Sequence, residues 1–290
     1  MYASRPLTRS QSRRRAFLIG GTALAVLVST AALALVNRQP TLDEKTLCPQ
    51  EQKLETSVIV LVDTTDALTR MQASQLLTTV RDAQDELPTY GKLTLLFLDA
   101  AAPYEPKELV SLCNPGSPRY VNPLFQTASR IEKRYRQSFG APVEAALDAL
   151  IKAPTAARSP ILEALTAVTW RPDFDARVKN RNLFVVSDLL QHESGGYSHY
   201  QLGDPWSRFM RTGLSRKVEA DLTGVHVRID YLRRSEAMQY QNDAHRNFWL
   251  RWLTERGAAS VDFGMSPTRS PSTPLPTAKG QTKVATKPIK

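Results

Sequence analysis

Asp63 and Asp188 each follow a run of apolar, β-branched residues: Ser57–Val62 (SVIVLV) before the first and Asn182–Ser187 (NLFVVS) before the second. Runs without alternation belong to strands covered on both faces, as in a parallel sheet. In open parallel sheets, ligands bind beyond the carboxyl ends of the strands, where the winding direction reverses. If a second strand lies on one side of the Ser57 strand and the Asn182 strand on the other, the reversal falls between Asp63 and Asp188. Two carboxylates then share one crevice. They repel unless a cation, a proton or hydrogen-bond donors relieve them. A hard divalent ion with oxygen ligands is the economical solution.

A second group of chemically able residues lies in the long loop 189–215. It contains His192-Glu193, Gly195-Gly196 and Ser198-His199. Two histidines and a carboxylate are zinc donors by type. Seven residues apart on a loop, His192 and His199 are read instead as partner contacts at the rim of the crevice. Ser198, His199 and Asp188 have the composition of a hydrolase triad but lack a nucleophile elbow and an oxyanion hole. No Walker loop or dinucleotide fingerprint occurs, so nucleotide binding has no support. The chain is expected to bind rather than to catalyse. The rival reading is an envelope hydrolase that uses the His192/His199 loop.

The surrounding elements must hold these residues in place. Ala67–Leu87 repeats Leu68, Met71, Leu76, Val80, Ala83 and Leu87 at helical intervals, and Pro88 stops it. Lys92–Leu98 (KLTLLFL) is a second strand, and strand–helix–strand makes a right-handed parallel crossover. Residues 99–142 are irregular and proline-rich, with a helix starting near Phe125 whose Arg130, Lys133, Arg134 and Arg136 face water. Val143–Ile151 is helical. Ser159-Pro160 opens another helix running to about Trp170, with serine as N-cap and proline in the first turn. A short helix follows at Trp206–Thr212, then a strand at Val225–Leu232. The helix Glu236–Gly257 packs Phe248, Trp249, Trp252 and Leu253 into the core, and Ser260–Phe263 is an edge strand. The expected fold class is α/β, in three layers with a mostly parallel central sheet.

Val58–Leu68 (VIVLVDTTDAL), Ser159–Leu165 (SPILEAL) and Leu183–Leu189 (LFVVSDL) resemble, in order and spacing, the three ligand loops of von Willebrand factor A-type domains. The resemblance covers most of residues 56–264. It implies a Mg²⁺ ion held by Asp63, Thr65, Ser159 and Asp188, with one position left for a carboxylate of a protein partner. Ala67 departs from the pattern, standing where the family has a second hydroxyl ligand, and Ser159 replaces a threonine. The implied site is therefore degenerate, and both a metal-loaded and a metal-free version are open. On the plainer alternative, Asp63 and Ser159 cap helices and Asp188 starts a turn. That explains each residue singly but not their shared placement.

The formal charge of +10 points toward nucleic acid until its distribution is read. Residues 1–15 carry five arginines and no acid. Residues 266–290 carry Arg269, Lys279, Lys283, Lys287 and Lys290, again without an acid. The remaining 28 basic residues equal the 28 acidic ones, so no nucleic-acid partner is expected. Ala16–Val36 contains no charge and as a helix spans about 31 Å, close to the roughly 30 Å hydrocarbon core of a bilayer. The arginines before it keep residues 1–15 in the cytoplasm and send residues 37–290 across. Arg14-Arg15-Ala16-Phe17-Leu18 also resembles a twin-arginine export signal, with Ala32-Leu33-Ala34 as a small-residue cleavage site. A single-pass anchor in a bacterial inner membrane and a cleaved signal both place the bulk of the chain in the periplasm. Cys48 and Cys113 then pair as a disulfide, and their 66-residue ring contributes about 4 kcal/mol. Residues 37–55 read as a linker, 56–264 as the α/β domain, and 265–290 as a disordered Pro/Lys-rich tail. The expected function is a membrane-anchored, extracytoplasmic protein-interaction module of the adhesion or scaffold type, bound to other proteins of the cell envelope. A non-catalytic structural subunit of an envelope complex is the other reading of that class.

Overall fold

The computed structural model describes residues 40–116, 128–193 and 196–264, together with Thr22, Val28 and Ser29. The basic amino terminus, most of the segment 16–36 and the tail 265–290 lie outside the described residues, and the anchor, signal and tail expectations lie there with them. Among the described residues no helix is long and apolar enough to cross a membrane.

Six strands form one sheet: β1 (Thr56–Val62), β2 (Lys92–Phe97), β3 (Lys107–Cys113), β4 (Asn180–Ser187), β5 (Val225–Tyr231) and β6 (Ser260–Gly264). Their spatial order is β3-β2-β1-β4-β5-β6. Every pair is parallel except β2 with β3. The chain winds outward from β1 through β2, then returns to the other side of β1 as β4, so the reversal lies between β1 and β4.

All seven residues of β1 are buried, because alternate side chains enter two different cores. Val58, Val60 and Val62 meet Leu76 and Val80 of α1 (Arg70–Glu86) and Val143 and Leu147 of α3 (Ala141–Ile151). Ile59 and Leu61 belong to the opposite core, with Ile161 and Leu165 of α4 (Ile161–Thr169) and Phe248, Trp249, Trp252 and Leu253 of α6 (Asp243–Glu255). This is the mixed α/β, layered arrangement expected. Two smaller helices are α2 (Ala128–Tyr135), which continues into a π-helical turn at Arg136–Gly140, and α5 (Pro205–Met210). The arginines and the lysine of the 130–136 stretch are exposed, as expected.

Several local departures have physical causes. The helix α1 begins at Arg70 because Thr69 and Gln72 form a reciprocal capping box, the Gln72 N–H donating to Thr69 Oγ1 and the Thr69 N–H to Gln72 Oε1. The proline-rich stretch contains β3, an antiparallel edge strand (KELVSLC) in which only Leu112 and Cys113 are buried. Its start is exposed, so it lacks a continuous apolar run. Part of the expected linker is folded. Lys45 and Thr46 N–H groups donate to Asp43 Oδ1, and Cys113 N–H donates to Thr46 O. The Cys48–Cys113 disulfide, with Cα atoms 4.9 Å apart, joins this turn to β3. The helix α6 starts at Asp243 rather than Glu236, with Asn242 Oδ1 accepting the His245 N–H.

Candidate functional site

The last rung of the β1–β4 ladder is the Asp63 N–H donating to Val186 O at 2.9 Å. Just past it, the Asp63 carboxylate accepts four donors. Oδ1 takes the Thr65 N–H (3.0 Å) and hydroxyl (2.6 Å). Oδ2 takes the hydroxyls of Ser187 (2.8 Å) and Ser159 (3.1 Å). Ser159 is free to do this because it does not cap α4. Pro160 is the N-cap residue and offers no side-chain bond, and the Leu162 N–H is taken instead by Gln191 Oε1 at 2.9 Å.

Asp188 stands two residues beyond Val186 and is likewise buried. Its Oδ1 accepts the Leu190 N–H (2.9 Å) and its Oδ2 accepts Nε of Arg234 (3.0 Å). Burial and the negative charge of Asp63 push the Asp188 pKa upward, while the Leu190 N–H and Arg234 oppose the rise. Arg234 is in place because β5 runs parallel to β4, pairing Ser187 with Tyr231, so the chain leaving Tyr231 emerges beside Asp188. Arg234 also donates through Nη1 to Ala67 O (2.9 Å). Its backbone N–H donates to Gln241 Oε1 (2.7 Å), and Gln241 Nε2 donates to both Asp188 O and Leu232 O. Only 8% of the Arg234 side chain is exposed.

The chain then turns at Leu189, whose φ of 60° lies in the left-handed region. The turn sends the Leu189 carbonyl into the core, where it accepts Nδ1 of His199 (3.0 Å), Nε2 of His245 (2.9 Å) and Nε1 of Trp249 (2.9 Å). A neutral His245 with its proton on Nε2 satisfies this network, its Nδ1 accepting the Tyr231 hydroxyl at 2.7 Å. Burial lowers the His245 pKa to about 4 and, with the neighbouring His245, lowers that of His199 well below the usual range.

The outer part of the loop forms the site's lip. His192 exchanges backbone hydrogen bonds with Ser159. The Ser198 hydroxyl accepts the Tyr200 N–H and lies within hydrogen-bond distance of His192 Nδ1 (3.0 Å). Above the carboxylates opens a cleft of about 340 Å³ lined by Thr65, Asp66, Arg158, Ser159, His192 and Tyr200. A cleft of similar size at the opposite sheet edge, among Gln52, Thr56, Pro88 and Tyr90, has no comparable group of buried polar side chains.

Asp63, Thr65, Ser159 and Asp188 thus come to one sheet edge, and His192 borders the cleft. His199 does not: it is a core residue, packed against His245 and Phe248 at ring-centroid distances of 4.6 and 4.7 Å. Its expected role in partner contact gives way to support of Leu189, because an imidazole stripped of water and held neutral is inaccessible to a partner. The Ser198–His199–Asp188 triad is not assembled, since each member is bonded elsewhere. Arg234, Gln241 and His245 belong to the site and carry no motif. The one available signal was topological: a strand parallel to β4 delivers its following residues to the same edge.

Mg²⁺ requires open oxygen ligands in near-octahedral geometry. Here a guanidinium covers Asp188 Oδ2 and also takes the Ala67 carbonyl, Ala67 has no hydroxyl, and both Asp63 oxygens are engaged. As arranged, these residues do not fit a Mg²⁺ centre. Among the described residues no cluster of three or more His, Cys, Asp or Glu side chains offers another.

No protein-family model matches the chain, and no curated protein sequence does. Among solved structures, it is similar to the conserved hypothetical protein BatB from Bacteroides thetaiotaomicron, with 13% identity and a TM-score of 0.36 over 72% of this chain and 90% of that one. It is also similar to an aerotolerance-related membrane protein from Bacteroides fragilis NCTC 9343, with 13% identity and a TM-score of 0.31 over 73% of this chain and 92% of that one.

Proposed function

We propose that the chain is an extracytoplasmic protein-recognition module of the bacterial cell envelope, and that its ligand site is the cleft above Asp63 and Asp188. One observation carries the reading. Oxygen-bearing side chains from three distant segments converge beneath an open cleft at the carboxyl edge of the sheet, on the strand pair where the winding reverses. Doubly wound sheets bind ligands at that place. The cleft wall adds Tyr200, and Leu202, two positions on in the chain, is 76% exposed. Aromatic and apolar surface beside a polar cleft suits a protein partner. The uncharged segment 16–36 and the Cys48–Cys113 bond support a location outside the cytoplasm.

A photo-crosslinking amino acid placed at Tyr200, and separately at Tyr90 on the opposite edge, tests the reading in intact cells. The expected result is a discrete protein adduct from position 200 and none from position 90. No adduct at 200, or the same adduct from both, overturns it.

A further inference from the structure

We propose that Arg234 is the resident cation of the carboxylate pair beneath this cleft, a side chain that relieves the repulsion between two adjoining buried carboxylates and thereby makes the site independent of divalent metal. The proposal deepens the reading of the cleft as a ligand site. Its readouts do not involve the partner, so the two fail separately.

The argument starts from charge. Asp63 and Asp188 lie at the ends of neighbouring strands, 3% and 2% exposed, and two such carboxylates repel unless a cation, a proton or hydrogen-bond donors relieve them. Asp63 is served by three hydroxyls and one backbone N–H, all of them neutral donors. The full positive charge in contact with the pair comes from Arg234, through Nε to Asp188 Oδ2. The same guanidinium reaches Ala67 O in the loop after β1. It therefore ties the β1 loop to the β4 loop, as an ion held between them would.

The position of Arg234 is built rather than incidental. Gln241, 1% exposed, holds the Arg234 backbone N–H with its oxygen, and spends both protons of its amide nitrogen on Asp188 O and Leu232 O. From the other side Gln72, in the first turn of α1, donates to Arg233 O at 3.2 Å. The segment 232–241 is thus fastened to both loops that carry the carboxylates. That fastening explains why α6 starts late, as these residues are committed to presenting a guanidinium. Arginine suits the task because its planar fork serves two acceptors at once and it stays charged when buried.

The test uses the full-length chain in detergent, comparing wild type with Arg234→Met, in EDTA and in millimolar Mn²⁺ or Mg²⁺. Thermal unfolding and Mn²⁺ uptake measured by electron paramagnetic resonance are the readouts. Wild type is expected to bind no Mn²⁺ and to show the same Tm in both solutions. Arg234→Met should lose about 10 °C in EDTA, recover most of it in Mn²⁺, and take up the ion. An unpaired ordinary ion pair would give the loss without the recovery. Stoichiometric Mn²⁺ on wild type, an undiminished Tm in Arg234→Met, or a loss that no divalent ion repairs each overturns the proposal. Should Arg234→Met fail to fold, Arg234→Lys keeps the charge with a single donor group. Indifference of that variant to Mn²⁺ supports the proposal, and Mn²⁺ uptake by it overturns the proposal.

Discussion

Leu189 concentrates the support of the site on a single atom. Its carbonyl receives three ring N–H donors, and its left-handed backbone turns that carbonyl toward the core. The price is two neutral imidazoles in the interior, and it shows in the pH dependence of folding. His245 has a folded pKa of about 4 against roughly 6.5 when unfolded. The unfolded chain therefore binds the proton first as pH falls. The contribution of neutral His245 is complete above about pH 6.5 and is lost as the pH drops toward 4. Asp188, whose pKa is raised, acts in the opposite sense, favouring the fold at low pH, but it is common to the proteins compared. Urea denaturation at pH 7 and pH 5 should show wild type losing about 2 kcal/mol more than His245→Gln over that interval. Equal losses would show that His245 is not held neutral. None of this was legible beforehand. The sequence placed His199 in a glycine-containing loop, where solvent exposure is the natural expectation, and no local pattern announces that one leucine reverses the chain and pulls the ring inside.

At the scale of elements, the lip of the cleft is stitched to α4 by a side chain from outside the helix. Gln191, fully buried, caps the Leu162 N–H with its oxygen and donates to Glu163 Oε2 at 3.0 Å. Burial raises the pKa of that glutamate. Gln191→Ala strands both partners and should cost about 2–3 kcal/mol in chemical denaturation. Backbone amides of residues 196–200 should exchange faster with deuterium in the same variant, because the loop loses its tie to the helix. Unchanged exchange with lowered stability would separate capping from loop positioning. The strands β1, β2 and β4 were readable because strands covered on both faces leave unbroken apolar runs. The strand β3 was not, since an edge strand needs no such run and its neighbourhood is rich in proline. The helix expected at Ser159 was found, but with its Leu162 N–H capped from 29 positions on in the chain, a distance at which sequence patterns fall silent.

Across the whole molecule, the winding order does most of the positioning. Because β1, β4 and β5 are parallel neighbours, their carboxyl ends bring Asp63, Asp188 and Arg234 to one edge although the three are far apart in the chain. The first two could be anticipated from strand-terminal acids. The third depended on how residues 232–241 fold back, which composition does not encode. The net charge, concentrated at the two ends of the sequence, leaves this central body close to neutral. On the proposed reading a cleft in such a body selects by local fit, and its encounter rate with a partner should change little between low and moderate salt in stopped-flow measurements. A steep decline with salt would place recognition on the charged ends.

The sulfur bridge from the early turn to the outermost strand also decides how the molecule bears load. When the amino-terminal side is held and a bound partner pulls, the 65-residue span between Cys48 and Cys113 cannot pay out like slack rope. Stretching single molecules with and without reductant should therefore differ by about 230 Å of released length, at roughly 3.6 Å per residue.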